Sequence, residues 1–154
     1  MKNFILIGNL GTGKTTLGKA IAEKLDIPIF SIDEYRIKYN PKGNFQQEFR
    51  SWFNLRNDIQ KHDQVIFDST GTSQWYDVIL DKLKGENVII KLFCTPDLMK
   101  KRISERDQKV PLPYKFELDY SISAIFQKLD KIEAHFNFDS GKLTINEMLN
   151  QLNI

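Results

Sequence analysis

The sequence predicts an α/β protein: an open, doubly wound, five-stranded parallel sheet with helices on both faces. Three observations carry that expectation. Short β-rich runs alternate with helix-length segments along the chain, the pattern of βαβ units. The first apolar run ends in a glycine-rich turn that leads straight into a helical periodicity. The 154 residues, 41% hydrophobic and 27% charged, contain no internal repeat, low-complexity tract or Gly/Ser linker, so residues 1–154 read as a single domain.

The elements follow in order. Phe4–Ile7 is the first strand, and Leu17, Ile21 and Leu25 mark a helix over 15–25 by their spacing of four. Ile29–Ile32 is the second strand. Phe45, Phe49, Trp52, Phe53 and Ile59 stripe a helix between it and the third strand, Val65–Phe67. Trp75, Ile79 and Leu83 do the same before a fourth strand at Val88–Phe93. Leu118, Ile122, Ile125, Phe126, Leu129 and Ile132 predict a long helix after the proline-punctuated loop Val110–Pro113, and Leu143–Ile145 is the weakest strand. Right-handed crossovers between such units put ligands at the carboxyl ends of the strands.

Composition excludes several classes. One cysteine, Cys94, rules out an intramolecular disulfide framework, fits a reducing compartment, and reads as a packing residue rather than a nucleophile. The apolar runs are too short to cross a membrane or to form a signal-peptide core, so a cytoplasmic protein is expected. His62 and His135 lack the spacing of metal ligands. The net charge of +2 hides two patches of +3 each, at 34–61 and 100–109, on a body of −4. Local positive patches on a near-neutral body suit an anionic ligand, or simply two solvated helix faces.

Gly8-Asn9-Leu10-Gly11-Thr12-Gly13-Lys14-Thr15 fits G-x-x-x-x-G-K-[ST] without a mismatch. Glycines let successive backbone N–H groups turn inward around phosphate oxygens, where side chains would block the approach. Lys14 then reaches the β- and γ-phosphates, Thr15 supplies a hydroxyl to Mg²⁺, and Thr16 follows in a helix whose positive end faces the same phosphates. Nucleotide binding by this P-loop, or Walker A motif, is therefore expected. Asp68-Ser69-Thr70-Gly71 mimics the D-x-x-G of GTPases, but no Asn-Lys-x-Asp for reading guanine exists in the chain. A GTPase is thereby disfavoured, and the chain is short for a motor, which leaves a small phosphotransferase.

Further candidates lie at the strand ends. Asp33, closing the second strand, is placed to accept a proton from an attacking hydroxyl, or else to cap a short helix with Arg36 on its wet face. Arg36 is then suited to the acceptor's phosphate or to the transferring group. Asp68 ends the third strand, where a carboxylate serves Mg²⁺ or the acceptor side. Arg102 and Arg106, four apart on a predicted helix, are candidates to close over ATP and neutralise the transferring phosphoryl group.

Together, Gly8–Thr16, Asp33-Glu34-Tyr35-Arg36, Val65-Ile66-Phe67-Asp68, Lys101–Arg106 and Val110-Pro111 resemble the small AAA-type P-loop kinases. Within that group the motifs are most similar to the kinase domain of phage-type 5′-hydroxyl polynucleotide kinases. The resemblance implies a P-loop NTPase fold with a small lid, and ATP and Mg²⁺ as cofactors. It also implies ATP and metal binding by Lys14 and Thr15, Asp33 as general base, Arg36 on acceptor phosphate, and Arg106 as a lid arginine at the transition state. Asp68-Ser69-Thr70-Gly71 departs from the Asp-Thr-Asn of those relatives. The D-x-x-R arrangement is also approximated by shikimate and gluconate kinases and by nucleotide-sugar-phosphorylating toxins.

For the acceptor, Tyr35, Tyr39, Phe45, Phe49, Trp52 and Phe53 lie among the basic residues of 35–61. Aromatics stack bases and arginines hold phosphates. The helical spacing of the Phe and Trp residues marks them as core, which leaves Tyr35, Tyr39 and Arg36 as acceptor contacts. The expected activity is transfer of the γ-phosphate of ATP to a 5′-hydroxyl of RNA or DNA, or to a nucleotide-like molecule. The alternatives are a small-metabolite or nucleotide-sugar kinase and a non-catalytic ATP-binding switch.

Overall fold

The computed structural model describes residues 1–106 and 118–154, so the expected loop Val110–Pro113 and its lid lie outside the described residues. Five strands, β1 (Lys2–Gly8), β2 (Ile29–Ser31), β3 (Ile66–Asp68), β4 (Glu86–Phe93) and β5 (Phe136–Asp139), form one sheet in the order β2-β3-β1-β4-β5. Every pairing is parallel. The predicted fold, a P-loop NTPase-type doubly wound sheet, is the observed one.

Alternation along β1 explains the two covered faces. Ile5 and Ile7 join Trp52, Leu55, Ile59, Phe67, Tyr76 and Ile125 in one core. Phe4 and Leu6 point the other way, into Leu17, Ile21, Ile90, Phe138 and Met148. The first face is covered by α3 (Glu48–Ile59), α4 (Tyr76–Leu80) and α6 (Leu118–Leu129), the second by α1 (Lys14–Leu25) and α7 (Ile145–Gln151). A strand buried on both faces needs such near-continuous apolar runs. Two further helices, α2 (Ile32–Tyr39) and α5 (Pro96–Ser104), follow β2 and β4.

Four expectations need correction. The fifth strand is Phe136–Asp139, not Leu143–Ile145, because Thr144 and Glu147 form a capping box that starts α7 across that β-branched run. Asp33 is not a cap: Ser31 holds that position, Asp33 sits in the first turn of α2, and Arg36 is buried rather than on a wet face. α5 ends at Ser104, so Arg106 lies beyond the helix that carries Arg102. α6 stops at Leu129, where Lys91 Nζ donates to the carbonyls of Leu129 and Ile132 at 2.8 and 2.6 Å and takes up its last turn.

Register sets the site. Leu6 and Ser31 both pair with Asp68, so the carboxyl ends of β1, β2 and β3 lie side by side. The chain leaves β1 toward β2 and leaves β3 toward β4 on the opposite side. The crevice between β1 and β3 is therefore the topological switch point, where open α/β sheets bind ligands. Among the described residues, no helix is long and apolar enough to cross a membrane.

Candidate functional site

The loop from Gly8 to Gly13 wraps over the end of β1 and depends on glycine at Gly11 and Gly13. Gly11 has φ +70, and a Cβ there would lie 2.7 Å from the Met99 carbonyl oxygen. Gly13 has φ +90 as the residue before α1, a conformation that is costly for any side chain. Thr12 is fully buried and its hydroxyl donates to the Asn9 carbonyl at 2.9 Å, closing the loop on itself. Leu10 is buried, while Thr16 is exposed in the first turn of α1.

Lys14 Nζ donates to the same Asn9 carbonyl at 2.8 Å, and Thr15 Oγ1 donates to Asp68 Oδ2 at 2.6 Å. Lys14, Thr15, Asp33, Asp68 and Arg106 all line one small cavity of about 30 Å³, the size of one or two waters. Burial and opposite charge act against each other on these groups. Burial pushes the Lys14 ammonium below its usual range, against the pull of Asp68 and Asp33. Burial likewise pushes the Asp68 carboxyl up, opposed by Lys14 and by the Thr15 hydrogen bond. A hydroxyl and a carboxylate sharing one cavity are the hard oxygen donors that Mg²⁺ takes, so Thr15 and Asp68 fit that ion.

Asp33 is held from behind. Arg36 donates to Asp33 Oδ1 at 3.0 Å and, through Nε, to Glu48 Oε1 at 2.7 Å. Glu48 also accepts from Trp52 Nε1 at 3.1 Å and from the buried Asn40 at 3.2 Å. Arg36 thus lies between two carboxylates and over the Trp52 ring. Glu48 and Asn40 are the partners that sequence reasoning missed. The only trace of them is a glutamate four residues before Trp52 on the same helix.

Two expected cradle residues brace the loop. The buried Asn9 side chain donates to the Ile122 carbonyl of α6 at 2.7 Å and accepts from Leu10 N–H at 2.9 Å. Arg102 donates to the Gly11 carbonyl at 3.3 Å and to Ser140, just past β5, through two contacts of 2.8 Å. Cys94 is buried, and burial pushes its thiol up.

The aromatic expectations divide. Trp52 is core, but Phe45, Phe49 and Phe53 are 87%, 49% and 55% exposed. Tyr35 donates its hydroxyl to Asp58 of α3 at 2.8 Å and stacks on Tyr39, its neighbour on α2. Phe45 and Phe49 line a groove of about 700 Å³ next to Arg36, together with Trp75 and Tyr120.

Residues 4–68 match the model of the AAA family, the ATPase family associated with various cellular activities. A shikimate kinase of Bacillus cereus is 24% identical, over 99% of this chain and 96% of its own length. Among solved structures, the shikimate kinase of Acinetobacter baumannii in complex with shikimate has a TM-score of 0.71 at 19% identity, covering 98% of this chain and 90% of its own. A gluconokinase from Sinorhizobium meliloti scores 0.64 at 15%, covering 97% and 88%. A deoxyadenosine kinase from M. mycoides scores 0.56 at 21%, covering 99% and 98%.

These similarities support the expected P-loop kinase that phosphorylates an alcohol group. They overturn the expected nucleic-acid acceptor: the relatives are kinases of small metabolites, and nothing supports the likeness to polynucleotide kinases. Arg36, expected to hold acceptor phosphate, is shared between Asp33 and Glu48.

Proposed function

We propose that the protein transfers the γ-phosphate of ATP, with Mg²⁺, to a hydroxyl of a small metabolite. The convergence of Lys14, Thr15, Asp33, Asp68 and Arg106 on one cavity at the ends of β1, β2 and β3 carries this reading. Thr15 and Asp68 would hold Mg²⁺, which would supply positive charge to offset that of the transferring group. Backbone N–H groups of the loop and Lys14 bind the phosphates of ATP. Asp33, oriented by Arg36, takes the proton of the acceptor hydroxyl as its oxygen attacks the γ-phosphorus. The bond to the β,γ-bridging oxygen breaks and ADP leaves with the electron pair. Arg106 neutralises charge on the equatorial oxygens.

The test is transfer of labelled γ-phosphate to shikimate, gluconate, nucleosides and sugars, with Asp33→Asn beside the wild type. Loss of a general base lowers kcat on the order of 10²- to 10⁴-fold and leaves ATP affinity in place. Undiminished transfer by Asp33→Asn would remove Asp33 from the reaction.

A further inference from the structure

The groove beside Arg36 is formed by three separate stretches of chain. Phe45, Gln46 and Phe49 come from the 3₁₀ turn Phe45–Gln47 and the start of α3, Gln74 and Trp75 from the segment after β3, and Tyr120 from α6. Its volume of about 700 Å³ falls within the 300–1,000 Å³ range of small-molecule sites. Arg36 lines the groove, Asp33 lines the phosphate cavity, and their side chains meet at 3.0 Å. The groove therefore ends one side chain, Arg36, from the carboxylate that takes the acceptor proton.

Its walls have a distinct chemistry. Phe45, Phe49 and Tyr120 are 87%, 49% and 71% exposed, so three large rings that folding leaves in water face one groove. Between them stand neutral donors and acceptors, Gln46, Gln74, Thr72 and Ser73. Among the described residues, the charges on the walls are the Arg36–Glu48 ion pair and Lys128, on the exposed side of α6. An acceptor with a carboxylate would find Arg36 set between two carboxylates, which leaves Lys128 as its cation on the walls. A polyol would find apolar ring faces where its hydroxyls need partners. Flat heteroaromatic rings stack on such faces, and glutamine amides match their donor–acceptor edges.

From this chemistry we infer that the groove seats a free nucleoside. Its base stacks among Phe45, Phe49 and Tyr120, its edge meets Gln46 and Gln74, and its sugar hydroxyl points past Arg36 to Asp33. The inference rests on the kinase reading above and names the class of its acceptor.

The experiment runs two readouts on the full chain. Labelled γ-phosphate transfer is measured with the common ribo- and deoxyribonucleosides, shikimate and gluconate, and nucleoside binding is measured by equilibrium dialysis. Transfer to at least one nucleoside, in preference to shikimate and gluconate, is expected. Phe45→Ala should raise the nucleoside KM on the order of tenfold, with kcat and the ATP KM within about twofold, and Phe45→Tyr should restore it. Phe45 is exposed, with little buried surface to lose, so the variant folds. Transfer to shikimate or gluconate without nucleoside binding would overturn the groove assignment and leave the kinase reading standing. Nucleoside binding without transfer to any acceptor would keep the groove as a nucleoside site and overturn the kinase reading, and with it the nucleoside's role as acceptor. Neither binding nor transfer would overturn both.

Discussion

Replacing Glu48 with alanine tests the support behind Asp33. The Glu48 carboxylate accepts from Arg36 Nε at 2.7 Å, Trp52 Nε1 at 3.1 Å and Asn40 Nδ2 at 3.2 Å. The Arg36 and Glu48 side chains are 7% and 19% exposed, so water replaces little of what is lost. A hydrogen bond to a charged group contributes about 1.5–3 kcal/mol, and two weaker contacts go with it, which sets the expected cost of Glu48→Ala at about 3 kcal/mol. For a chain of this size that lowers Tm by roughly 6–12 °C. Arg36 would also settle further onto Asp33, turning the carboxylate from its working orientation, and kcat should fall on the order of tenfold while the ATP KM holds. Glu48→Gln keeps an acceptor for Arg36 and Trp52 and loses only the charge, so it should recover about half of both effects. Differential scanning calorimetry and steady-state kinetics on the three proteins read this directly. A Tm for Glu48→Ala within about 2 °C of the wild type would refute the reasoning.

Gly11→Ala forces a side chain into φ +70 and against the Met99 backbone; it should cost about 2 kcal/mol in denaturant unfolding and weaken ATP binding at least tenfold. Asn9→Ala takes away the buried partner of Leu10 N–H and the link to Ile122; a cost of about 2 kcal/mol and faster hydrogen exchange at Leu10 are expected. Lys14 has a lowered folded pKa because burial outweighs its carboxylate neighbours, so between that value and 10.5 the unfolded chain binds more protons and stability rises with pH. Lys14→Met removes the buried charge: in ligand-free urea titrations it should be the more stable protein at neutral pH, by a margin that shrinks toward pH 10.5, and a constant margin would disprove the effect.

Legibility followed contiguity. The phosphate loop is one unbroken stretch of eight residues, and its fit depends on backbone conformations that glycine permits, so Gly8 to Thr15 could be read directly. Asp33 and Asp68 were legible by position, because each sits at or just past a strand end on the edge that faces bound ligands. The fifth strand was misread because Thr144-Ile145 carries β-branched residues, whereas the capping box with Glu147 decides the local structure. Phe45, Phe49 and Phe53 were misread because a spacing of four shows a stripe but not what covers it. Glu48 escaped notice because a lone glutamate on a helix has no motif, and only the fold brings it to Arg36.

The two halves of the site therefore differ in how they are built. The phosphate cavity comes from strand ends and a loop that the sheet holds in register, and it is indifferent to what the acceptor is. The groove comes from 43–49, 72–75 and 120–128, stretches joined only by the packing of α3, α4 and α6 on one face of the sheet. Arg36, on the groove's wall, joins the two, bonded to Asp33 on one side and Glu48 on the other. Changes reaching the reaction through Arg36 should move kcat, and changes at the exposed rings should move the acceptor KM. On the proposed reading, with the base held by one cavity and the ring faces by a groove of separate origin, substitutions at Phe45, Phe49, Gln46 and Gln74 should change acceptor choice without disturbing the transfer step.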